Sequence, residues 1–269
     1  MRVATAQWPP SAESQDRVLV TDSSVVVLDG ASAFAPVDVP TDRYVDKLAA
    51  AIGMNVEHAD VSLDVAVAEA IRETAKELQL SAGNSPSSTV SVLRVRPDVI
   101  DLYSLGDSAI YYGSDDGPVN VMIDRRLAQL GIPEHEIYRE RMAAGCGYDE
   151  RHRELLARLQ QKQRERRNCA GGYWIAEASP DAAYRGYLSS LPRDFLTWAV
   201  LATDGAYGPM LHLGLADWPR LAHESGPELE RVLEGCARWE RDEDPDGRML
   251  PRAKVSDDKT LVAVELDGG

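Results

Sequence analysis

The sequence predicts an α+β fold built on antiparallel sheet, and three observations predict it. Strand-like runs at residues 89–94, 99–105 and 109–112 are separated by only a few residues, too few for the crossover that parallel strands require. Two longer stretches, 41–52 and 60–80, have helical character, and in the second Leu63, Val67, Ala70, Ile71 and Leu78 fall on one face. Several apolar runs end directly in acidic turns, so chemistry is to be sought at the strand ends.

Taken in order, residues 3–7 read as an edge strand, followed by an irregular turn through Pro9 and Pro10 toward Ser14-Gln15-Asp16. Residues 17–21 and 24–28 form a hairpin about Asp22-Ser23. Val25-Val26-Val27-Leu28 is a buried strand that delivers Asp29 and Gly30 to a tight turn. Thr41-Asp42 is expected to cap the first helix, and 81–87 is a turn cluster before the three short strands. A helical region spans 124–168, broken at Gly131-Ile132-Pro133 and Gly145-Cys146-Gly147. Residues 171–175 restart a strand, 180–183 form a short helix, and 195–203 make the central strand ending at Asp204. Helices near 215–223 and 227–242 follow, then a loop rich in Asp, Pro and Gly, then a last strand from Leu261.

With 269 residues and no Pro/Ser/Gly-rich linker, the chain reads as one domain over 1–269. The net charge of −15 repels polyanions and argues against general nucleic-acid or anionic-membrane binding. Cys146, Cys169 and Cys236 are odd in number and widely spaced, which fits reduced thiols rather than a disulfide framework or zinc knuckle. No leader and no run of about 18 apolar residues is visible, so the expectation is a cytoplasmic monomer. His58, His135, His152, His212 and His223 show no ligand spacing, and packing or surface roles suit them.

The pattern at Asp29 recurs. Ala202-Thr203-Asp204-Gly205 ends another apolar run, Leu105-Gly106-Asp107-Ser108 ends a third, and Ser256-Asp257-Asp258-Lys259-Thr260 precedes the last strand. If these strand ends converge, several carboxylates meet with only Lys259 close by in sequence, which raises their pKa values unless cations bind. Oxygen-only donors suit Mg²⁺ or Mn²⁺ rather than Zn²⁺. Two such ions lower the pKa of a shared water and clamp a phosphate for in-line attack.

The ordered set Asp-Gly, Gly-Asp-Ser, Thr-Asp-Gly and Asp-Asp-x-Thr resembles the metal-dependent protein phosphatases of the 2C type (PPM), in a bacterial-like form, over nearly the whole chain. The resemblance implies a four-layer αββα sandwich and hydrolysis of phosphoserine or phosphothreonine by a water bridging two Mn²⁺ or Mg²⁺ ions. Asp29 matches the carboxylate bridging both metals, and Gly30 the residue whose carbonyl binds one of them. Asp204 and Asp257 match ligands of the other, and Asp107 helps hold a third, weaker ion. The implied partner is a phosphoprotein of a Ser/Thr kinase pathway. Thr89 matches a threonine of structural role.

The departures are equally specific. Ser14-Gln15-Asp16 stands where the family carries Asn-Glu-Asp, so Gln15 offers a neutral oxygen and Asp16 is left to compensate, as weak or indirect metal contacts. Ser11 occupies the place of the family's phosphate-binding Arg, and Ala31 that of a His found in eukaryotic members. Val27 stands where a haloacid-dehalogenase phosphatase needs its nucleophilic Asp, which argues against that reading. A non-catalytic member that binds phosphoproteins is the rival reading. Residues 124–168, read as a helical insert, hold eleven Lys/Arg against eight Asp/Glu, netting +3 while the rest of the chain nets −18. Arg164, Arg166 and Arg167 are therefore the candidates for phosphate or substrate contact, against the plainer alternative of a solvated helix end.

Overall fold

In a computed structural model, described over residues 1–31 and 38–266, two five-stranded sheets form, and every strand pair in them is antiparallel. The first contains, in spatial order, β1 (Arg2–Trp8), β10 (Lys259–Glu265), β9 (Trp198–Ala202), β6 (Ala109–Gly113) and β7 (Asn120–Met122). The second runs β2 (Arg17–Val20), β3 (Ser24–Leu28), β4 (Val90–Val95), β5 (Val99–Leu105) and β8 (Tyr187–Pro192).

The two-residue side-chain period of the strands explains the layering. Val25 and Val27 of β3 join Leu93, Ile100 and Leu102 against Ile110, Leu201, Val262 and Val264, the core between the sheets. Val26 and Leu28, pointing the other way, pack under α1 (Thr41–Val56) and α2 (Leu63–Glu77). Across the molecule Trp198, Val200 and Ala263 face α5 (Asp204–His212), α6 (Trp218–Leu221) and α7 (Gly226–Asp242). Each central strand is thus apolar on both faces, and the order of layers is helices, sheet, sheet, helices, as expected from the sequence.

Between β7 and β8 lie α3 (Pro133–Ala143) and α4 (Glu150–Arg164), which share a small core of Tyr138, Met142, Leu155, Leu156 and Leu159. Asp149 caps α4 by accepting from the His152 amide at 2.8 Å.

Several local expectations need correction. Thr41 is the first residue of α1 rather than its cap; Pro40 precedes it, and the Thr41 hydroxyl donates to the Ala31 carbonyl at 3.4 Å. Residues 171–175 form no strand. The Gly171-Gly172 turn folds this segment back on the end of α4, where a Cβ at Gly172 would lie 1.9 Å from the Arg166 carbonyl, and Tyr173 makes only an isolated bridge to Arg167. The expected strand 195–203 begins only at Trp198, after a 3₁₀ turn at Arg193–Phe195. The helix expected over 215–223 shrinks to the single turn of α6, while α5 starts at Asp204 itself. Strands β7 and β8, both at sheet edges, were not expected. No helix among the described residues is long and apolar enough to cross a membrane.

Candidate metal centre

Asp29 leaves the end of β3 with its backbone fixed on several sides. Its carbonyl accepts from the Thr89 amide and the Ser88 hydroxyl, both at 2.9 Å, and its amide donates to the Thr89 hydroxyl at 3.2 Å. Thr89 in turn shares a 2.7 Å hydrogen bond with Ser108 beside Asp107, so this threonine has the structural role expected of it. Gly106 permits the arrangement because its φ of +90° lies in the left-handed region, and a Cβ there would stand 2.8 Å from the Thr89 methyl. At Gly30 the constraint is close approach, since a Cβ would meet the Gln15 carbonyl at 2.7 Å and Thr41 Cγ2 at 2.8 Å.

Asp204 opens α5, where the helix N-terminus favours a negative side chain. The next residue must be glycine: a Cβ at Gly205 would come within 2.0 Å of the Asp258 carbonyl, so helix and terminal loop touch backbone to backbone. Asp204 and Asp29, from different sheets, stand close enough for each to act on the other's carboxyl. Tyr207, one turn along α5, donates to the Asp107 carbonyl at 3.1 Å, and burial, followed by Asp107 and Asp204, pushes its phenol up so that it stays a neutral donor.

Asp16 lies behind this group. Its Oδ2 accepts from Thr260 at 2.7 Å and Thr203 at 3.1 Å, while its Oδ1 is buried without a hydrogen-bond partner. Gln15 is held beside Gly30, its backbone N–H donating to Asp258 Oδ2 at 2.6 Å.

Burial and mutual repulsion act on all these acids. Asp29 is pushed well above the usual carboxylate range by burial, then by Asp16, Asp204, Asp257 and Asp107. Burial, with Asp204 next, raises Asp107 to about 7, and burial raises Asp16 to about 7 against the opposing Thr260 hydrogen bond. Asp204 moves up through burial and Asp257. Solvent still reaches the cleft, because Asp204 is exposed and Asp29 and Asp107 are half-exposed. Desolvation is therefore partial, and repulsion between like charges is the component that a cation relieves. Oxygen-only donors, an orphaned carboxylate oxygen and mutually repelling acids fit a hard divalent ion.

The cluster is nevertheless not gathered for one. Among the described residues no three His, Cys, Asp or Glu side chains stand as a ready-made metal cluster. Lys259, the cation nearest Asp257 in sequence, is fully buried and pairs with Glu240 at 2.7 Å, reaching Asp257 only through its carbonyl at 2.9 Å. The ammonium at the Asp257 carboxylate is that of Lys254, at 2.5 Å. Sequence reading missed it, and also missed Thr203, Tyr207, Thr260 and the turn of Asp258 toward Gln15. The Lys254–Asp257 spacing of three residues was the available signal for that contact.

The arginines of the expected docking surface divide. Arg167 is largely buried, its guanidinium donating to the Ser85 carbonyl and the Tyr173 hydroxyl, both at 3.3 Å, with Glu177 at 3.7 Å. Its guanidinium is thus engaged within the fold. Arg166 is exposed and Arg164 half-exposed, and Arg166 with Lys162 borders a groove lined by Leu130, Ile132 and Pro133.

The chain matches no protein-family model and no curated protein. Its fold is similar to that of solved PPM serine/threonine phosphatases. The catalytic domain of the serine/threonine protein phosphatase PstP, solved with two manganese ions, is 15% identical with a TM-score of 0.57, covering 97% of this chain and 96% of that one. Stp1 from Staphylococcus aureus is 11% identical with a TM-score of 0.56, covering 98% and 94%. The PPM phosphatase MsPP from Mycobacterium smegmatis is 17% identical with a TM-score of 0.50, covering 99% and 98%. The chain has the PPM phosphatase fold over essentially its full length.

Proposed function

We propose that this protein is a metal-dependent phosphoserine/phosphothreonine phosphatase of the PPM type. The observation that carries the reading is the meeting of Asp29, from the end of one sheet, with Asp204, from the end of the other, inside a field that includes Asp16, Asp107 and Asp257. Asp29, the Gly30 carbonyl, Asp204 and Asp257 would hold two Mn²⁺ or Mg²⁺ ions, with Asp107 toward a third and with Gln15 and Asp16 contributing weakly or indirectly. Bound ions supply Lewis acidity toward the phosphoryl oxygens and acidify a water nucleophile. The chain fixes the carboxylates on rigid strand and helix ends, keeps Tyr207 a neutral donor, and leaves the cleft open to a phosphorylated side chain. The resemblance points to a cytoplasmic enzyme opposing a Ser/Thr kinase, and the exposure of Arg166 and partial exposure of Arg164 support a role for them in meeting a phosphoprotein.

Hydrolysis of p-nitrophenyl phosphate that requires Mn²⁺ is the expected result. Asp204→Asn should abolish both that activity and the rise in melting temperature produced by Mn²⁺, because ligand binding to the native state is what raises apparent stability. An unchanged Mn²⁺ shift in the variant would remove Asp204 from the site. A second reading, a non-catalytic phosphoprotein-binding member, is favoured by Gln15 in the glutamate position and by exposed Ser11 in place of an arginine. It predicts phosphopeptide binding without turnover at any Mn²⁺ concentration.

A further inference from the structure

We propose that Lys254 is an intramolecular cation that occupies the Asp257 carboxylate until a divalent ion displaces it, so that this one side chain sets the metal affinity of the centre. The inference rests on the phosphatase reading, since it takes Asp257 to be a metal ligand.

Contact geometry carries it. The Lys254 Nζ stands 2.5 Å from Asp257 Oδ1, and the same ammonium lies in the field of Asp258, Asp29 and Asp204. A half-exposed ion pair between two flexible side chains normally contributes little. Here the lysine backbone is held in place. Tyr148 donates to the Lys254 carbonyl at 2.9 Å, and His152 Nε2 bonds the Ala253 carbonyl at 3.0 Å. On the other side Arg252 is anchored by the Asp244 carboxylate at 2.6 Å and the Glu240 carbonyl at 3.0 Å. The ammonium is therefore delivered to Asp257 by a fixed loop, and the α3–α4 unit grips that loop through Tyr148 and His152.

The alternative cation, Lys259, is already committed to Glu240, so Lys254 is the residue that answers the negative charge at this ligand. A metal arriving at Asp257 must displace the ammonium from Oδ1 or bind the other carboxylate oxygen beside it, and in either case it shares the cleft with a positive charge. That repulsion weakens its binding.

The test compares wild type with Lys254→Met and Lys254→Arg, using MnCl₂ alone as titrant in calorimetry and thermal melting with and without Mn²⁺. The neutral variant should bind Mn²⁺ about tenfold more tightly or better, and the arginine variant should stay near wild type. Lys254→Met should melt lower than wild type without metal and show a larger rise with Mn²⁺, whereas a merely damaged protein would melt lower under both conditions. Equal or weaker Mn²⁺ binding by Lys254→Met, alongside measurable binding by wild type, overturns the role of Lys254 and leaves the phosphatase reading intact. Tightening of Lys254→Arg to the same extent also overturns it, because charge would then not be the cause. If neither wild type nor Lys254→Met binds Mn²⁺, the phosphatase reading falls and this inference with it.

Discussion

At Gln15 a single missing charge has a measurable consequence. Its backbone amide donates to Asp258 Oδ2 at 2.6 Å and its carbonyl packs on Gly30, so the main chain at this position is held against the Asp29-Gly30 turn. Gln15→Glu should lower the Mn²⁺ concentration for half-maximal activity by about tenfold, the scale of one added charge–metal interaction. Identical Mn²⁺ titrations of the two proteins would show that Gln15 does not face a metal. Asp16 differs in kind. It is enclosed by Thr203 and Thr260, and its orphaned Oδ1 is the polar atom at this site most in need of a partner.

Among the elements, β3 was legible because four consecutive apolar residues suit a strand buried on both faces, and Asp29-Gly30 announced its end. The start of α5 was not legible: Gly205, Gly208 and Pro209 read as a turn, and the helix exists because it packs Ala206 and Met210 onto the sheet through tertiary contact. Strand β8 was hidden for the opposite reason. Tyr187 and Leu188 are exposed at a sheet edge, so no buried stripe marks it. The α3–α4 unit was read as helical with the break at 145–147 in place, although residues 124–130 form no helix and α3 begins only at Pro133, and its role is open to kinetics. Replacing Arg164 and Arg166 with Gln should raise KM for a phosphopeptide severalfold while leaving p-nitrophenyl phosphate hydrolysis near wild type, since remote contacts supply binding rather than chemistry. Equal effects on both substrates, or on neither, would remove these arginines from docking.

For the whole molecule, the response to acid is set in part far from the cleft. Asp101 joins Arg94, at 2.8 Å, to Arg96, at 2.9 Å, and Ser190, at 2.6 Å, and Arg94 also donates to the carbonyls of Val56, His58 and Val61 between α1 and α2. Burial pushes the Asp101 carboxyl up, but the hydrogen bonds from Arg96, Ser190 and Arg94 outweigh it and hold it below the usual range. With its folded pKa below the unfolded one, its stabilisation is complete above the unfolded pKa near 4 and is lost as pH falls through the lower folded value. The raised acids of the cleft act with the opposite sign, weakening the metal-free fold as pH rises from about 4 toward 7, so Asp101 is isolated by the difference between variant and wild type. Urea denaturation should find Asp101→Asn less stable by about 3 kcal/mol at neutral pH, because Arg94 is left buried without its counter-charge. The gap should narrow below about pH 4. A gap independent of pH would mean that the charge on Asp101 contributes nothing.

The pairing of β1 with β10, from Arg2 opposite Glu265 to Trp8 opposite Lys259, also fixes the order in which the molecule is completed. Strand β1 sits at a sheet edge with β10 as its sole sheet neighbour, so during synthesis the first strand waits for the last. The hairpins β2–β3 and β4–β5 close over short sequence separations and bring Asp29 into place early, while Asp257 enters only with the final strand. Long-range closure of this kind is slow and comes late. A nascent chain stalled before residue 257 would carry all five strands of the second sheet but neither Asp257 nor β10, so the β1 pairing and the Asp257 carboxylate reach their places in one step.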